Sequence, residues 1–388
     1  MGKGMNFIHD PEADKQFLLW KLAVDFAAEM RRFSDITNRI VYCVDYSSWR
    51  KQVITDQDYK GNRVQSTDID WNAIFEVHNE FIEALKGFGI IVSKIKSAEA
   101  DDLIYGWTSY LNQQEENAII ISGDNDLLQL IHFNSTDNTN TIYYNKFDKN
   151  LYAFTDFEKW LNKEDIAEVI DIFSMGISTF DTVKTDLRNL IKREKIKIEE
   201  INTNDFIFKK ILRGDGGDNV SSLYTKIKET KRGPQKYTIT EKQSKEIMEK
   251  FKSINFSVKH HHLFDDAFIT QICEITKAHI KIDDKTLEEL IEKWKMNRNL
   301  MMLHKNCIPS DLFDQILGDI ESKINNKISP IVMANLIKKE EILKKTSYNN
   351  DINPNDTNLL KTVKSDSTVK IESSQNTFDD KFWNDLLS

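Results

Sequence analysis

No stretch of the chain approaches the roughly 18 consecutive apolar residues that a membrane-spanning helix requires, and no secretory signal is visible. Neither membrane insertion nor export is expected, and the cytoplasm is the expected compartment. Cysteine is scarce: Cys43, Cys273 and Cys307 have neither paired spacing nor a metal-ligand pattern. That fits structural thiols in a reducing compartment, not a disulfide scaffold or a thiolate metal site. Cations are outnumbered, 53 Lys and Arg against 62 Asp and Glu, for a net charge of −9. Taken as a sum, this argues against a nucleic-acid partner, but the distribution of charge decides. What the chain does have is length, 388 residues, and 40% hydrophobic content. That suits two or three domains, or one large domain with extensions, around a sizeable core.

Helical and short apolar segments alternate in the manner of an α/β protein. Gln16 to Phe33 has a helical period, with Phe17, Leu18, Trp20, Leu22, Val24, Phe26 and Ala27 forming a broad apolar face. Arg39 to Val44 reads as a strand ending at Asp45, Trp71 to Lys86 as a helix and Ile90 to Val92 as a second strand. Ala118 to Ile121 has the length and composition of a buried parallel strand. Five carboxylates gather at two of these strand ends: Glu99, Asp101 and Asp102 past Val92, and Asp124 and Asp126 past Ile121. In an open α/β sheet the carboxyl ends of the strands share one edge, and that edge hosts the site. Carboxylates crowded there repel strongly unless divalent cations neutralise them. Acidic residues also cap helices and form turns, so each of the five has an architectural alternative.

Asn134 to Asn140 is a polar break, and residues 151–204 read as mostly helical, an insertion with alternating charge on a solvated face. Further on, Arg213-Gly214-Asp215-Gly-Gly217-Asp218-Asn219 permits a tight turn in which two aspartates, three positions apart, can converge. From Lys226 to Lys252 the balance turns basic, and residues 260–340 read as helices. His260, His261 and His262 are consecutive, cannot face one another on a helix, and are expected on the surface. Residues 345–377 have the composition of a disordered linker. Beyond it, Phe378, Phe382 and Leu386 fall at i, i+4 and i+8 with Trp383 and Leu387 beside them, an apolar stripe for a partner's groove or for a last core helix.

Taken in order, three acidic stretches resemble the motifs of the structure-specific 5′-nucleases, the flap endonuclease family. They are Glu99-Ala-Asp101-Asp102, Ser122-Gly-Asp124-Asn-Asp126-Leu-Leu-Gln129-Leu and Gly214-Asp215-Gly-Gly-Asp218-Asn219. Tyr59-Lys60-Gly61-Asn62-Arg63 resembles the same family's phosphate-handling stretch. The bacteriophage ribonuclease H and 5′-3′ exonuclease branch is the most similar, over about Leu18 to Lys252. The resemblance implies a mostly parallel central sheet with flanking helices, the PIN-like 5′-nuclease fold, over residues 1–212. A helical DNA-binding domain would follow over 213–344, then the linker and an interaction motif at 378–388.

The same resemblance implies phosphodiester hydrolysis on two Mg²⁺ ions, with Mn²⁺ able to substitute. Asp45, Glu99, Asp101, Asp102, Asp124 and Asp126 would hold the ions directly or through water, and Asp215 and Asp218 would complete the second site. Lys60 and Arg63, with Asp45, are the implied catalytic residues, the two cations meeting the scissile phosphate; a solvated connector is the alternative for that pair. Arg50, Lys51, Lys60, Arg63, Lys226, Lys228, Lys231, Arg232 and Lys236 are expected at the nucleic acid, the last five on a helix–turn–helix-like element that grips the backbone. The implied substrates are RNA primers and DNA flaps in replication, hence branched or duplex DNA and RNA–DNA hybrids. The implied partners of Phe378, Phe382, Trp383, Leu386 and Leu387 are the sliding clamp and the single-strand-binding protein. A monomer is expected, in the host cytoplasm if the chain is viral.

The chain departs from the family in two places. The family's glycine-rich turn is replaced by Val220-Ser-Ser-Leu-Tyr-Thr-Lys226, so no potassium site is expected. The family also begins with a strand that ends in an aspartate, ahead of the first helix. Here the helix starts near Lys15, and Asn6-Phe-Ile8-His-Asp10 is the one candidate before it. That strand and its ligand are expected to be missing. An impaired or non-cleaving structure-specific DNA-binding protein is therefore the alternative to an active nuclease.

Overall fold

The computed structural model describes residues 11–37, 39–53, 59–61, 70–163, 179–231, 233–255 and 259–326. The opening helical period becomes α1 (Pro11–Phe33). Its Leu19 and Met30 pack with Val77, Phe81, Ile82 and Leu85 of α3 (Trp71–Gly87). Asp70 caps α3, accepting hydrogen bonds from the amides of Asn72 and Ala73, which satisfies two of its orphan donors. Between these helices come β1 (Val41–Cys43) and the short α2 (Arg50–Val53). After α3, β2 (Ile91–Ser93) lies parallel to β1 with Val41 opposite Ile91. Then come α4 (Ala100–Gln113) and β3 (Ala118–Ser122). The three apolar strands and the helix at Glu99 lie where the sequence pattern put them.

The rest of the sheet was less visible. β3 runs parallel to β5 (Asn140–Asn145), Ser122 opposite Asn145, and β4 (His132–Phe133) lies antiparallel on β5. β6 (Leu151–Phe154) pairs antiparallel with β5 and parallel with β7 (Ile198–Ile201). Residues 151–204, read as mostly helical, thus also carry two strands that the sequence reading did not include. These strands extend the sheet, while α5 (Phe157–Asn162), α6 (Thr179–Glu194) and the start of the next helix at Thr203 are helical among the described residues. β7 reads Ile-Glu-Glu-Ile, whose central acids look like a solvated helix face. β5 starts and ends in asparagine, yet all six of its residues are buried. Among the described residues β1 has only β2 as a strand neighbour, and β3 has only β5. The two pairs are tied at their leading ends by Arg39, whose guanidinium meets Glu116 at 2.5 Å. Asn6 to Asp10 lies outside the described residues.

The second half is helical around one core. Ile207, Phe208, Ile211 and Leu212 of α7 (Thr203–Arg213) pack with Ile247 and Phe251 of α8 (Glu241–Asn255), Ile269 and Ile272 of α9 (Asp266–Ile280), and Trp294 of α10 (Leu287–Met301). Each such side chain, fully buried, stabilises by about 1.5–3 kcal/mol. So the buried face of α7 shares its core with the residues after 213, while its Phe206 packs against the core of the sheet. In the other direction, α11 (Ser310–Lys323) returns to the α/β part, with Ile316 and Ile320 packed beside Leu103 and Trp107 of α4.

The segment expected to be helix–turn–helix-like is instead an antiparallel hairpin, β8 (Thr225–Thr230) and β9 (Gly233–Thr238), with Lys226 opposite Tyr237 and Ile227 opposite Lys236. Thr-Lys-Ile-Lys-Glu-Thr is a strand by its alternation and β-branched content; the helix–turn–helix expectation rests on the family resemblance and not on this segment's own period. Within the described residues no helix is long and apolar enough to cross a membrane.

Candidate active site

Asp45 follows β1 and accepts a hydrogen bond from the amide of Ala100, 2.7 Å away, at the start of α4. That position faces the positive end of a helix dipole. One residue on, Asp101 is surrounded by like charge. Burial first, then Asp124, Asp45 and Asp126, push its carboxyl up to about 7. Asp124 caps the 3-10 turn Asn125–Leu130, accepting from the Asp126 amide at 2.8 Å. Asp126 is itself raised by burial, with Asp124 and Asp215 adding to the effect against the opposing Lys210.

The third acidic stretch reaches the same place. The Asp215–Val220 turn is closed by reciprocal backbone hydrogen bonds of 2.8 and 2.7 Å. It needs Gly214 at φ 70°, where a Cβ would collide with the carbonyl of Val220. Asp215 Oδ1 accepts from the Gly217 amide at 2.8 Å. As a result, carboxylate oxygens of Asp126, Asp215 and Asp218 all lie within 4.8 Å of one another. The spacing and the all-oxygen donor set suit a hard divalent cation.

A cation already marks the position. The Lys210 ammonium, on α7, is ion-paired with Asp126 and, at 3.1 Å, with Asp215. Burial opposes its charge, but the two carboxylates overcome this, and its pKa is raised. Sequence reasoning missed Lys210. The signal was there: Ile207, Phe208, Ile211 and Leu212 fix the apolar face of α7, which leaves Lys210 on another face, five residues before Asp215.

Lys60 also joins the acids. Its backbone amide donates to the carbonyl of Asp218 at 3.0 Å, its ammonium pairs with Glu99, and the Tyr59 hydroxyl donates to Asp218 at 3.1 Å. Tyr59 and Lys60 are thus fastened to the Asp215–Asp218 turn. Arg63 and Arg232 lie outside the described residues.

Two expectations are corrected here. Asp102 is fully buried and Arg50 is 2% exposed. Arg50 Nη2 meets Asp102 Oδ1 at 2.8 Å and Nη1 meets Oδ2 at 3.1 Å, and Nε donates to the carbonyl of Leu300 at 2.8 Å. Trp49 Nε1 and the Glu99 amide also donate to Asp102 Oδ2, both at 3.1 Å. Asp102 is therefore spent as an internal counter-ion and not available to a metal, and Arg50 is out of reach of a nucleic acid. Glu99 is shared between Arg50, at 2.7 Å, and Lys60. Burial would raise its pKa, but the two cations hold it below the ordinary carboxylate range. Lys51, Lys228, Lys231 and Lys236 are exposed, while Lys226 lies 3.5 Å from Asp284.

Residues 20–164 match a family model described as 5′-3′ exonuclease, N-terminal resolvase-like domain. Over 254 residues the chain is 26% identical to the 5′-3′ exonuclease of Buchnera aphidicola subsp. Acyrthosiphon pisum (strain APS), an alignment covering 66% of this chain and 74% of that one. Among solved structures, T5 5′-exonuclease with bound zinc is 17% identical, with 82% of this chain and 93% of that one covered at a TM-score of 0.45. The T5 flap endonuclease in complex with DNA and metal ions is 14% identical, with 84% and 91% covered at a TM-score of 0.40.

Proposed function

We propose that the chain, similar to a 5′-3′ exonuclease N-terminal resolvase-like domain over residues 20–164 and 26% identical to a 5′-3′ exonuclease, is a divalent-metal-dependent 5′-to-3′ nuclease. Its substrates would be the phosphodiesters of RNA primers and DNA flaps met in replication. The observation that carries this reading is the convergence of Asp126, Asp215 and Asp218. Asp126, Asp215 and Asp218 would hold one ion; Asp101 and Asp124, with Asp45 through water, would hold the other. Mg²⁺ suits carboxylate sites that leave room for water, and Mn²⁺ would substitute. Bound there, the ions would supply an acidified water and offset charge on the phosphate.

The chain's own residues do the rest. Burial and the neighbouring acids push the Asp101 carboxyl up to about 7, so a cation bound there would displace the proton it partly holds at neutrality. Lys60 and Lys210, both paired with site acids, are the cations at hand for the negative charge of the substrate. Lys51, Arg63, Lys226, Lys228, Lys231, Arg232 and Lys236 would grip the backbone of branched or duplex DNA or of RNA–DNA hybrids without reading sequence. The clamp-docking stripe at Phe378 to Leu387 lies outside the described residues and stands on its spacing alone.

A second reading is favoured by the sheet. Among the described residues β1 and β3 each have a strand partner on one side only, and the other side is where the family's first strand and its aspartate would add a carboxylate. Without that group the chain would bind branched DNA and cut weakly. Hydrolysis of a 5′-labelled flap oligonucleotide separates the readings. Short products in Mg²⁺ and none in EDTA are expected from the nuclease. Tight binding without products in either Mg²⁺ or Mn²⁺ would establish the second reading, and products in EDTA would remove the metal from both.

A further inference from the structure

Two exposed aromatic rings stand beside the acid cluster, and the chemistry above uses neither. Phe147 is 76% exposed and Tyr46 is 53% exposed. The sheet sets the place of the first. β3 and β5 end in register at Ser122 and Asn145, and the Lys146 amide donates to the Ser122 carbonyl at 2.9 Å. The register thus runs on past the strand ends and lays Phe147 along Gly123, immediately before Asp124. The two residues do touch, because a Cβ at Gly123 would fall on the Phe147 ring. The Phe147 amide is fixed by Asn145 Oδ1 at 2.9 Å. Tyr46 directly follows Asp45, and its amide donates to Ala98 at 3.2 Å. Each ring carries a cation: Lys146 Nζ is 5.5 Å from the Phe147 centroid, and Lys94 Nζ is 5.8 Å from that of Tyr46.

Single exposed apolar residues are ordinary. Two rings, each adjacent to an acid of the cluster and each paired with lysine, are a different arrangement. A flat π-face takes a nucleobase of any sequence, and the lysine held over the same ring can swing to the attached phosphate once the base stacks. We propose that Phe147 with Lys146, and Tyr46 with Lys94, are stacking platforms for unpaired bases next to the phosphodiester being cut. This rests on the nuclease reading and adds to it a selection for unpaired ends. Bases inside a duplex are already stacked on each other and offer no free face. The occupant is a polyanion with π-faces and not an apolar peptide, because each ring already has a cation over it.

The test is binding in Ca²⁺ of an oligonucleotide with an unpaired 5′ arm carrying 2-aminopurine, against a blunt duplex. Phe147→Ala and Phe147→Leu should weaken binding of the arm about tenfold and abolish the fluorescence quench, while Phe147→Trp restores both. Duplex binding should stay within about twofold, since its bases cannot reach the ring. The ring is exposed, so an unchanged melting temperature is expected in all three variants. Wild-type quench and affinity in Phe147→Leu overturn the platform. If wild type cuts flaps and Phe147→Leu cuts them identically, the platform falls and the nuclease reading stands. If wild type neither binds nor cuts, both fall.

Discussion

Arg50 and Asp102 form a two-pronged ion pair, 2.8 and 3.1 Å, with neither side chain exposed by more than 2%. The pair pins α2 to the first turn of α4, the turn that also carries Asp101. It is therefore a device that holds the acid cluster in place. Removing one partner strands a buried charge, which costs about 3–5 kcal/mol. Asp102→Ala should lower the urea midpoint accordingly, in EDTA as much as in Mg²⁺. A variant as stable as wild type that has lost only metal affinity would return Asp102 to the ligands.

Asp124→Asn should behave in the opposite way. Asparagine caps a turn as well as aspartate does, so the 3-10 turn survives. Asp101 is relieved of its foremost like-charged neighbour, and metal-free stability should hold or rise slightly. Cleavage in Mg²⁺ should fall by at least about 100-fold if the carboxylate serves an ion. Wild-type turnover in this variant would remove Asp124 from the site.

The acid cluster should also show in the pH dependence of stability. Asp101 titrates near 7 in the fold against an ordinary value of 3.8. Between these values the folded chain holds a proton that the unfolded chain has released. The associated stability is therefore complete below about pH 4 and is lost as pH rises through 7. Other acids contribute too, Asp126 in the same sense and Glu99 and Asp215 in the opposite one, so the difference between wild type and Asp101→Asn is the quantity to measure. In EDTA that difference in melting temperature should change steadily from pH 4 to 8, to the disadvantage of wild type. A constant difference would show that Asp101 is not crowded.

These contrasts show what the sequence could carry. Ile119 to Ile121 announced a strand because only burial explains such a run, and the acids past it followed from sheet geometry. Nothing in Ser48-Trp49-Arg50-Lys51 distinguishes a buried guanidinium from a solvated one. Only the fold brings Arg50 to Asp102, 52 positions away. β5 stayed hidden because its polar residues are satisfied by partners distant in sequence, Asn112 for Thr141 and the Asp124 carbonyl for Tyr143.

The hairpin in place of a helix–turn–helix changes what is expected of its lysines. Lys228, on β8, projects from a two-stranded ribbon with its ammonium 5.1 Å from the Tyr237 ring, and Lys231 and Lys236 are exposed. Such a ribbon can lie along a backbone groove without reading bases. Neutralising Lys228 and Lys236 to Gln should flatten the slope of log K against log salt by about 0.9 for each phosphate that is no longer neutralised, equally for unrelated sequences. An unchanged slope would take the hairpin off the interface.

Whether the edges of β1 and β3 that have no strand partner among the described residues are truly open decides between the active and the impaired readings. β5 is hydrogen-bonded on both sides, by β3 on one and by β4 and β6 on the other. β3 has a partner on one side only among the described residues, and so does β1. Amides alternate in direction along a strand, so on a bare edge every second one lacks an acceptor, and such a row invites another strand. In native-state hydrogen exchange, alternate amides of Ala118–Ser122 should exchange fast, while those of Asn140–Asn145 stay protected throughout. Adding an extended peptide that ends in aspartate should slow the fast set and raise Mg²⁺-dependent cleavage together, if the edge is a vacant strand position next to the ions. Full protection along β3 in the chain by itself would mean that a segment already covers the edge. The impaired reading would then lose its support.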